Sequence, residues 1–188
     1  MSNKINIIFL LTISILSASC IKSQLEVTYN KQEEQIDKYI NSKSIVTNAT
    51  TGEPDTLRVI RNSGSNRIIY TEGEGEALRK DGYVSFYYAG YTFNGSVSAS
   101  NLFATNRKAT AEESGWNVED IEDELYEISL KDADLIPGLK NGLEGVKAGE
   151  ECEILFSAKY GFGNKALGII PAKTALLYKI WVVGVTND

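Results

Sequence analysis

The sequence predicts an α+β fold, in which an antiparallel β-sheet wraps around one short α-helix. Apolar and polar side chains alternate along YVSFYYAGY (83–91) and ECEILFSA (151–158), as they do in β-strands. The segment TALLYKIWVVGV (174–185) also predicts a strand, with Leu176, Tyr178, Ile180 and Val182 on one face and Leu177, Lys179, Trp181 and Val183 on the other. Only one convincing helix interrupts the strands of this region. A sheet with a single helix packed on it accounts for both observations.

The helix is predicted in the segment IPGLKNGLEGV (136–146). Pro137 suits the first turn of a helix, where a backbone N–H is not needed for an intrahelical hydrogen bond. Leu139, Leu143 and Val146 recur at helical spacing and would form one apolar face. We expect that face to lie against the sheet.

The N-terminal segment MSNKINIIFLLTISILSASC (1–20) has the pattern of an export signal. Lys4 precedes an apolar run over residues 5–16, which is about half as long as a membrane-spanning helix requires. Small residues leading into Cys20 resemble a bacterial lipoprotein signal. We therefore predict a signal peptide over residues 1–19, lipidation of Cys20 and anchoring in the bacterial cell envelope outside the cytoplasm. An ordinary secretory signal with an accidental cysteine is the alternative.

An extension is predicted over residues 20–72, before the densest strands begin. It starts with a tether at 21–30, followed by a short amphipathic helix in KQEEQIDKYINSK (31–43). The segments TLRVIR (56–61) and RIIYTE (67–72) are separated by NSGSN and predict a β-hairpin.

Composition excludes several classes of function. The chain has no histidine, which excludes catalytic triads that use histidine and zinc sites with histidine ligands. The formal net charge of −6 gives no electrostatic basis for binding nucleic acid. We predict no metal site and no cofactor.

Three separated motifs carry a resemblance to a known family. They are GEGEALRKDGYVSFYYAGYTFNG, LIPGLKNGLEGVKAGEE and YGFGNKALGIIPAKTALLYKIWVVGV. In this order they resemble the FKBP family of peptidyl-prolyl cis-trans isomerases over residues 73–185. The resemblance implies a strongly bent antiparallel sheet whose concave face holds the helix, an apolar pocket between them, and an isomerase domain at 73–188.

The activity that the resemblance implies needs no acid or base. Rotation about an X–Pro bond breaks amide conjugation across a barrier of about 18–20 kcal/mol. Water stabilises the planar amide more than the twisted one, so an apolar cradle that excludes water and fits the twisted amide lowers the barrier. The expected partners are proline-containing segments of secreted or surface proteins.

The resemblance also assigns the pocket residues. The residues expected to act on the X–Pro bond are Tyr88, Phe103, Ile136, Phe162 and Tyr178. Further substrate contacts are expected from Tyr126, Leu135, Leu139, Ile169 and Ile170. Among these residues, the backbone N–H of Ile136 is expected to orient the substrate carbonyl.

The sequence departs from the family pattern at several of these positions. Ala104 stands where an aspartate usually braces the pocket, and Phe162 replaces a tyrosine whose hydroxyl donates to ligands. Leu139 replaces the tryptophan of the pocket floor, while Tyr126 and Tyr178 stand at phenylalanine positions. We expect proline-peptide binding to be retained and isomerase activity to be weakened.

An insertion at residues 107–125 goes beyond the minimum length of the family. It is rich in acidic residues but lacks the ligand spacing and central glycine of a calcium loop. We predict a solvated acidic surface, with Val118, Ile121 and Leu125 holding a short helix against the domain.

Two other functions are compatible with the same residues. One is a non-catalytic lipoprotein that binds peptides or proteins in the pocket. The other is a structural component of a surface complex that uses the acidic insertion or the N-terminal helix as its contact. The predicted N-terminal helix is short, which favours a monomer.

Overall fold

The computed structural model describes residues 2–47, 54–119, 122–131 and 134–187, and in the first helix it describes the side chains from residue 23 onward. Two short 3₁₀ turns, Ala99–Asn101 and Ala158–Tyr160, accompany the regular elements. In chain order those elements are α1 (Ser2–Lys43), β1 (Ile45–Thr47), β2 (Pro54–Thr56), β3 (Arg58–Asn62), β4 (Ser65–Thr71), β5 (Tyr83–Phe93), β6 (Leu102–Thr105), α2 (Lys108–Glu113), β7 (Tyr126–Ser129), α3 (Pro137–Leu143), β8 (Glu151–Phe156) and β9 (Ala175–Thr186).

The described strands β3 to β9 form one antiparallel sheet. Its order is β3-β4-β8-β9-β5-β6, and β7 pairs with the first half of β5. The remaining pair, β1 and β2, forms a separate antiparallel ribbon. The α+β class predicted from the sequence is confirmed, and the short helix predicted at 136–146 packs on the sheet as α3.

Strand β9 has both faces covered, which explains its almost continuous apolar sequence. Leu176 and Tyr178 belong to the core on the side of α3, whereas Leu177 belongs to a second core on the side of α1. The alternation in β9 therefore supplies two different cores from one strand. The pocket-forming side is the one that contains Tyr178.

Helix α3 lies close to the sheet because glycine faces the strands. A Cβ atom on Gly142 would lie 2.2 Å from the side chain of Ile154 on β8. Leu139 and Leu143 are buried on the same helix, and Pro137 opens its first turn, as predicted. The close approach places the first turn of α3 at the edge of the core that contains Leu176 and Tyr178.

A buried arginine holds the other end of α3. Arg67 on β4 is 2% exposed and pairs with Glu150, with its Nε 3.1 Å from Oε1. Its Nη1 also donates to the backbone carbonyls of Gly142 at 2.6 Å and Glu144 at 2.9 Å. The hairpin strand β4 is thus fixed to the helix.

The predicted hairpin is confirmed as β3 and β4, joined by a two-residue turn. Ser63 and Gly64 both have positive φ, 47° and 84°, as a tight hairpin turn of the primed type requires. Strand β4 pairs along β8, so the hairpin belongs to the main sheet.

The N-terminal prediction needs correction. Residues 21–30, predicted to be a tether, are helical, and the helix predicted over 31–43 is the end of the 42-residue helix α1. Ile36 and Ile40, in the final turns of α1, are buried in the second core, which contains Leu177. The predicted signal peptide lies at the start of α1, and the Cys20 side chain lies outside the described side chains. No helix among the described residues is both long and apolar enough to cross a membrane.

The helix predicted in the acidic insertion lies elsewhere. Helix α2 spans Lys108–Glu113 and buries Thr110 and Ala111, whereas Leu125 is 39% exposed. Ile121 lies outside the described residues. The small residues of KATAEE, rather than the later aliphatic residues, hold this helix against the domain.

We predict that Arg67→Met lowers the free energy of unfolding by about 3–5 kcal/mol, because it leaves the Glu150 carboxylate buried without its partner charge. Urea unfolding followed by circular dichroism measures this loss. Arg58→Met is the control, since the Arg58–Glu72 pair is exposed and its loss is expected to cost less than about 1 kcal/mol. Equal losses in the two variants would contradict the prediction.

Candidate functional site: an aromatic pocket beside α3

The ring of Tyr178 is the centre of an aromatic cluster on the side of the sheet that packs against α3. Its centroid lies 5.7 Å from that of Phe103 and 6.3 Å from that of Tyr88. On the other side it stacks on Phe156 at 6.0 Å, with 18° between the ring planes. Because β9 is central in the sheet, Tyr178 is held by strands on both sides and is only 7% exposed.

Most of the residues predicted for the pocket meet around this ring. Of the predicted residues, three are buried members of the same core: Leu139, Ile170 and Tyr178. Five more are partly buried and packed against it: Tyr88, Phe103, Leu135, Ile136 and Phe162. They come from β5, β6, β9, the start of α3 with the two residues before it, and the segment before β9.

Tyr126 stands at the rim of the cluster. Its side chain is on β7, is 46% exposed, and lies 5.9 Å from Tyr88 between ring centroids. It is therefore open to a ligand at the edge of the pocket.

Ile169 lies outside the core around Tyr178. Its side chain is 72% exposed, whereas that of the next residue, Ile170, is 5% exposed. Leu167 and Ile170 exchange backbone hydrogen bonds at 2.9 Å, forming a tight turn that contains Ile169 at its outer side. Only one residue of the aliphatic pair is directed into the core.

Phe103 packs directly onto the backbone of β5. A Cβ atom on Gly90 would lie 2.6 Å from the Phe103 ring, so the pocket wall requires glycine at this position. The next residue, Ala104, pairs with Gly90 in the β5–β6 ladder and carries no polar side chain.

Thr105 and Asn106 brace the strand that carries Tyr88. The Thr105 hydroxyl donates to the Tyr88 carbonyl at 2.7 Å. The Asn106 side chain accepts from the Tyr88 N–H at 2.6 Å and donates to the carbonyls of Phe86 and Glu124. The sequence pattern alone does not predict this brace, although an asparagine directly after a strand is a residue type that bonds nearby backbone groups.

An open cleft of about 860 Å³ adjoins the aromatic cluster at Tyr88 and Tyr126. The acidic insertion forms its other side, through Glu122, Asp123 and Glu124. These carboxyl groups line the rim of the cleft and belong to a different segment from Ala104, which is on β6.

Ile136 occupies the N-cap of α3. Its carbonyl accepts from the Lys140 N–H at 3.1 Å, and no described group accepts a hydrogen bond from its own N–H. Helix N-termini present such free donors. The Ile136 N–H is therefore available to the carbonyl oxygen of a bound peptide.

Tyr88 and Tyr178 are ionisable groups of the aromatic cluster. Burial raises the pKa of Tyr178, and the nearby Tyr88 and Tyr126 raise it further. Burial likewise raises the pKa of Tyr88, with additional effects of Tyr126 and Glu124. These hydroxyls therefore stay protonated at neutral pH and can donate hydrogen bonds.

Comparison with known proteins agrees with this architecture. A family model described as FKBP-type peptidyl-prolyl cis-trans isomerase matches residues 74–183. The FKBP-type peptidyl-prolyl cis-trans isomerase FkpA of Buchnera aphidicola is 26% identical over 125 residues, which cover 66% of this chain and 44% of that protein. The chain thus spans less than half the length of that relative.

Two solved structures share the fold. The peptidyl-prolyl cis-trans isomerase of Pseudomonas syringae matches with a TM-score of 0.57 at 15% identity, covering 86% of this chain and 96% of the other. FkpA from Escherichia coli matches with a TM-score of 0.53 at 18% identity, covering 94% and 70%. With the family model matching more than half of the sequence, the chain belongs to the FKBP-type peptidyl-prolyl cis-trans isomerase family.

We predict that Tyr178 makes the fold less stable at alkaline pH. Its pKa is raised in the folded state, so above about pH 10 the unfolded chain loses a proton that the folded chain keeps. The free energy of unfolding therefore falls as pH rises, by about 1.4 kcal/mol for this group at one pH unit above the unfolded pKa.

The measurement is urea unfolding of the wild type and Tyr178→Phe at about pH 8 and about pH 11. The stability of the variant relative to the wild type should increase between these values. Tyr83→Phe, at a tyrosine 54% exposed, is the matched control. A difference between Tyr178→Phe and wild type that does not change with pH would contradict the prediction.

Proposed function

We propose that this chain catalyses cis-trans isomerisation of X–Pro peptide bonds in the pocket around Tyr178. The observation that carries the proposal is the convergence of Tyr88, Phe103 and Tyr178 in one core. Ile136 packs against the same core, and its N–H donates to no described group. The aromatic side chains provide a surface that excludes water, and the N–H provides one directed hydrogen bond.

In this mechanism the proline ring lies on the floor formed by Leu139, between Phe103 and Tyr178. The Ile136 N–H holds a substrate carbonyl, so that rotation occurs in the part of the peptide inside the apolar pocket. The twisted amide loses conjugation and is less polar than the planar one, so a site without water lowers the barrier. No proton transfer is needed at any step.

Hydroxyl groups in this pocket differ in position from the family pattern described above. Phe162 has no hydroxyl to offer a ligand, whereas Tyr126 and Tyr178 each carry one where phenylalanine is usual. Losing one neutral hydrogen bond weakens binding by about 0.5–1.5 kcal/mol. We therefore propose an active enzyme whose substrate affinity is reduced by about tenfold or less.

We predict that the full chain accelerates isomerisation of a short X–Pro peptide, measured by NMR exchange spectroscopy. Tyr178→Ala should reduce kcat/KM by at least about a hundredfold, because the central ring of the cluster is lost. Phe162→Tyr should lower KM by restoring a donor. Val183→Ala, at a position 50% exposed on the opposite face of β9, is the control.

The same assay distinguishes an isomerase from the main alternative, a non-catalytic binding protein. The polar features missing at Ala104 and Phe162 favour this second function. Saturable binding of the X–Pro peptide by the wild type, without acceleration at micromolar protein, would overturn catalysis and support binding alone. A contact that depends on the insertion instead of the pocket would survive Tyr178→Ala and be lost on deleting residues 107–125.

We further propose that the protein acts outside the bacterial cytoplasm on secreted or surface proteins and is anchored by lipid at Cys20. The export pattern of residues 1–20 supports this proposal. Expression in a bacterium should yield a chain that begins at Cys20 and carries acyl groups, as measured by mass spectrometry. Cys20→Ser should abolish acylation and release the protein from the membrane fraction, and an unacylated wild-type chain would overturn the anchor.

A further inference from the structure

One side chain of α1 contacts both ends of the segment that closes the pocket. This segment, residues 158–173, carries Phe162 and Ile170, and we call it the flap. Gln32 accepts a hydrogen bond from the Ala158 N–H at 2.9 Å through Oε1. Its Nε2 donates to the Lys173 carbonyl at 2.7 Å.

The chemistry of the amide group explains why glutamine suits this position. One partner is a donor and the other an acceptor, so the two halves of the Gln32 amide are satisfied in a single orientation. The side chain is 9% exposed, and both bonds therefore form largely out of water. Buried bonds of this kind are costly to leave unmade.

The end of the flap at Lys173 is a place where support is needed. Lys173 has a φ of 59°, which is a left-handed conformation that a side chain other than glycine adopts only at a cost. Its N–H donates to the Gly163 carbonyl at 2.8 Å, inside the flap. Gln32 therefore bonds the same residue, Lys173, that links the end of the flap to its interior at Gly163.

We propose that Gln32 is a positioning residue for the isomerase pocket, which fixes the two ends of the flap and thereby holds Phe162 and Ile170 over the substrate. This inference rests on the proposed isomerase function. It makes α1 part of the working pocket, although α1 lies outside residues 74–183, which match the family model.

Docking of α1 does not depend on Gln32. Ile36 and Ile40 are buried against the sheet, at 0% and 2% exposure. The Tyr39 hydroxyl donates to the Glu153 carboxylate at 2.9 Å, and Asp37 pairs with Arg61 at 2.7 Å. Removing the Gln32 amide should therefore leave the helix in place and release only the flap.

The test compares Gln32→Ala with Gln35→Ala in the full chain. Gln35 lies one turn further along α1 and lines a cavity together with Gln32 and Lys173. Its side chain makes no hydrogen bond to another described residue. We expect Gln32→Ala to lower kcat/KM for the X–Pro peptide by about tenfold, mainly through a higher KM. Gln35→Ala should change it less than about twofold.

A second measurement does not require activity. Hydrogen–deuterium exchange of the backbone amides should accelerate over residues 158–173 in Gln32→Ala and remain unchanged in Gln35→Ala. An inactive wild type would overturn the proposed function, and the exchange comparison would then decide the role of Gln32. Equal flap exchange in the two variants would overturn that role, whatever the activity.

Gln32→Glu distinguishes the hydrogen bonds from simple packing. At about pH 8 the introduced carboxylate can accept from Ala158 but cannot donate to the Lys173 carbonyl. Protonation near about pH 5 supplies an O–H donor, because burial raises the pKa of a carboxyl group. The kcat/KM of this variant relative to the wild type should rise as pH falls, and that of Gln32→Ala should not. A flat ratio for Gln32→Glu would overturn the inference.

Discussion

The buried guanidinium of Arg67 is the constraint on which the geometry of the pocket depends. An arginine side chain stays charged in proteins, so its burial requires the carboxylate of Glu150 and the carbonyls of Gly142 and Glu144. Those carbonyls belong to the C-terminal end of α3. The helix therefore cannot move away from β4 without leaving a charge unpaired, and its other end at Ile136 is fixed beside the pocket.

The strands and the central helix were predictable because their signals are local. Alternation in β9 and the spacing of Leu139 and Leu143 are set by residues within a few positions of one another. The prediction of a tether at 21–30 is wrong because it expects a helix only where apolar residues recur at helical spacing, and this segment is helical in α1. Residues 2–43 contain neither glycine nor proline, so nothing in the local sequence ends α1 before Lys43.

The supports of the pocket were not predictable from local pattern. Gln32 bonds Ala158 and Lys173, which follow it by 126 and 141 positions in the chain. Arg67 bonds Gly142 of α3, which follows it by 75 positions. Such pairs depend on how the sheet folds over and leave no periodic signal. For Ile169 the sequence motif is clear, but the motif does not predict the direction of the side chain. A tight turn between Leu167 and Ile170 directs it outward.

The absence of an acid at Ala104 is compatible with an ordered pocket because hydrogen bonds to the backbone hold the strand that carries Tyr88. Thr105 and Asn106 hold the backbone of Tyr88 on both its N–H and its carbonyl. They hold the backbone of the strand, whereas the Tyr88 hydroxyl makes no hydrogen bond to a described residue and can contact a ligand. An apolar site that works by excluding water needs rigid walls more than it needs charge, and the contacts around Tyr88 supply rigidity without adding a charged group.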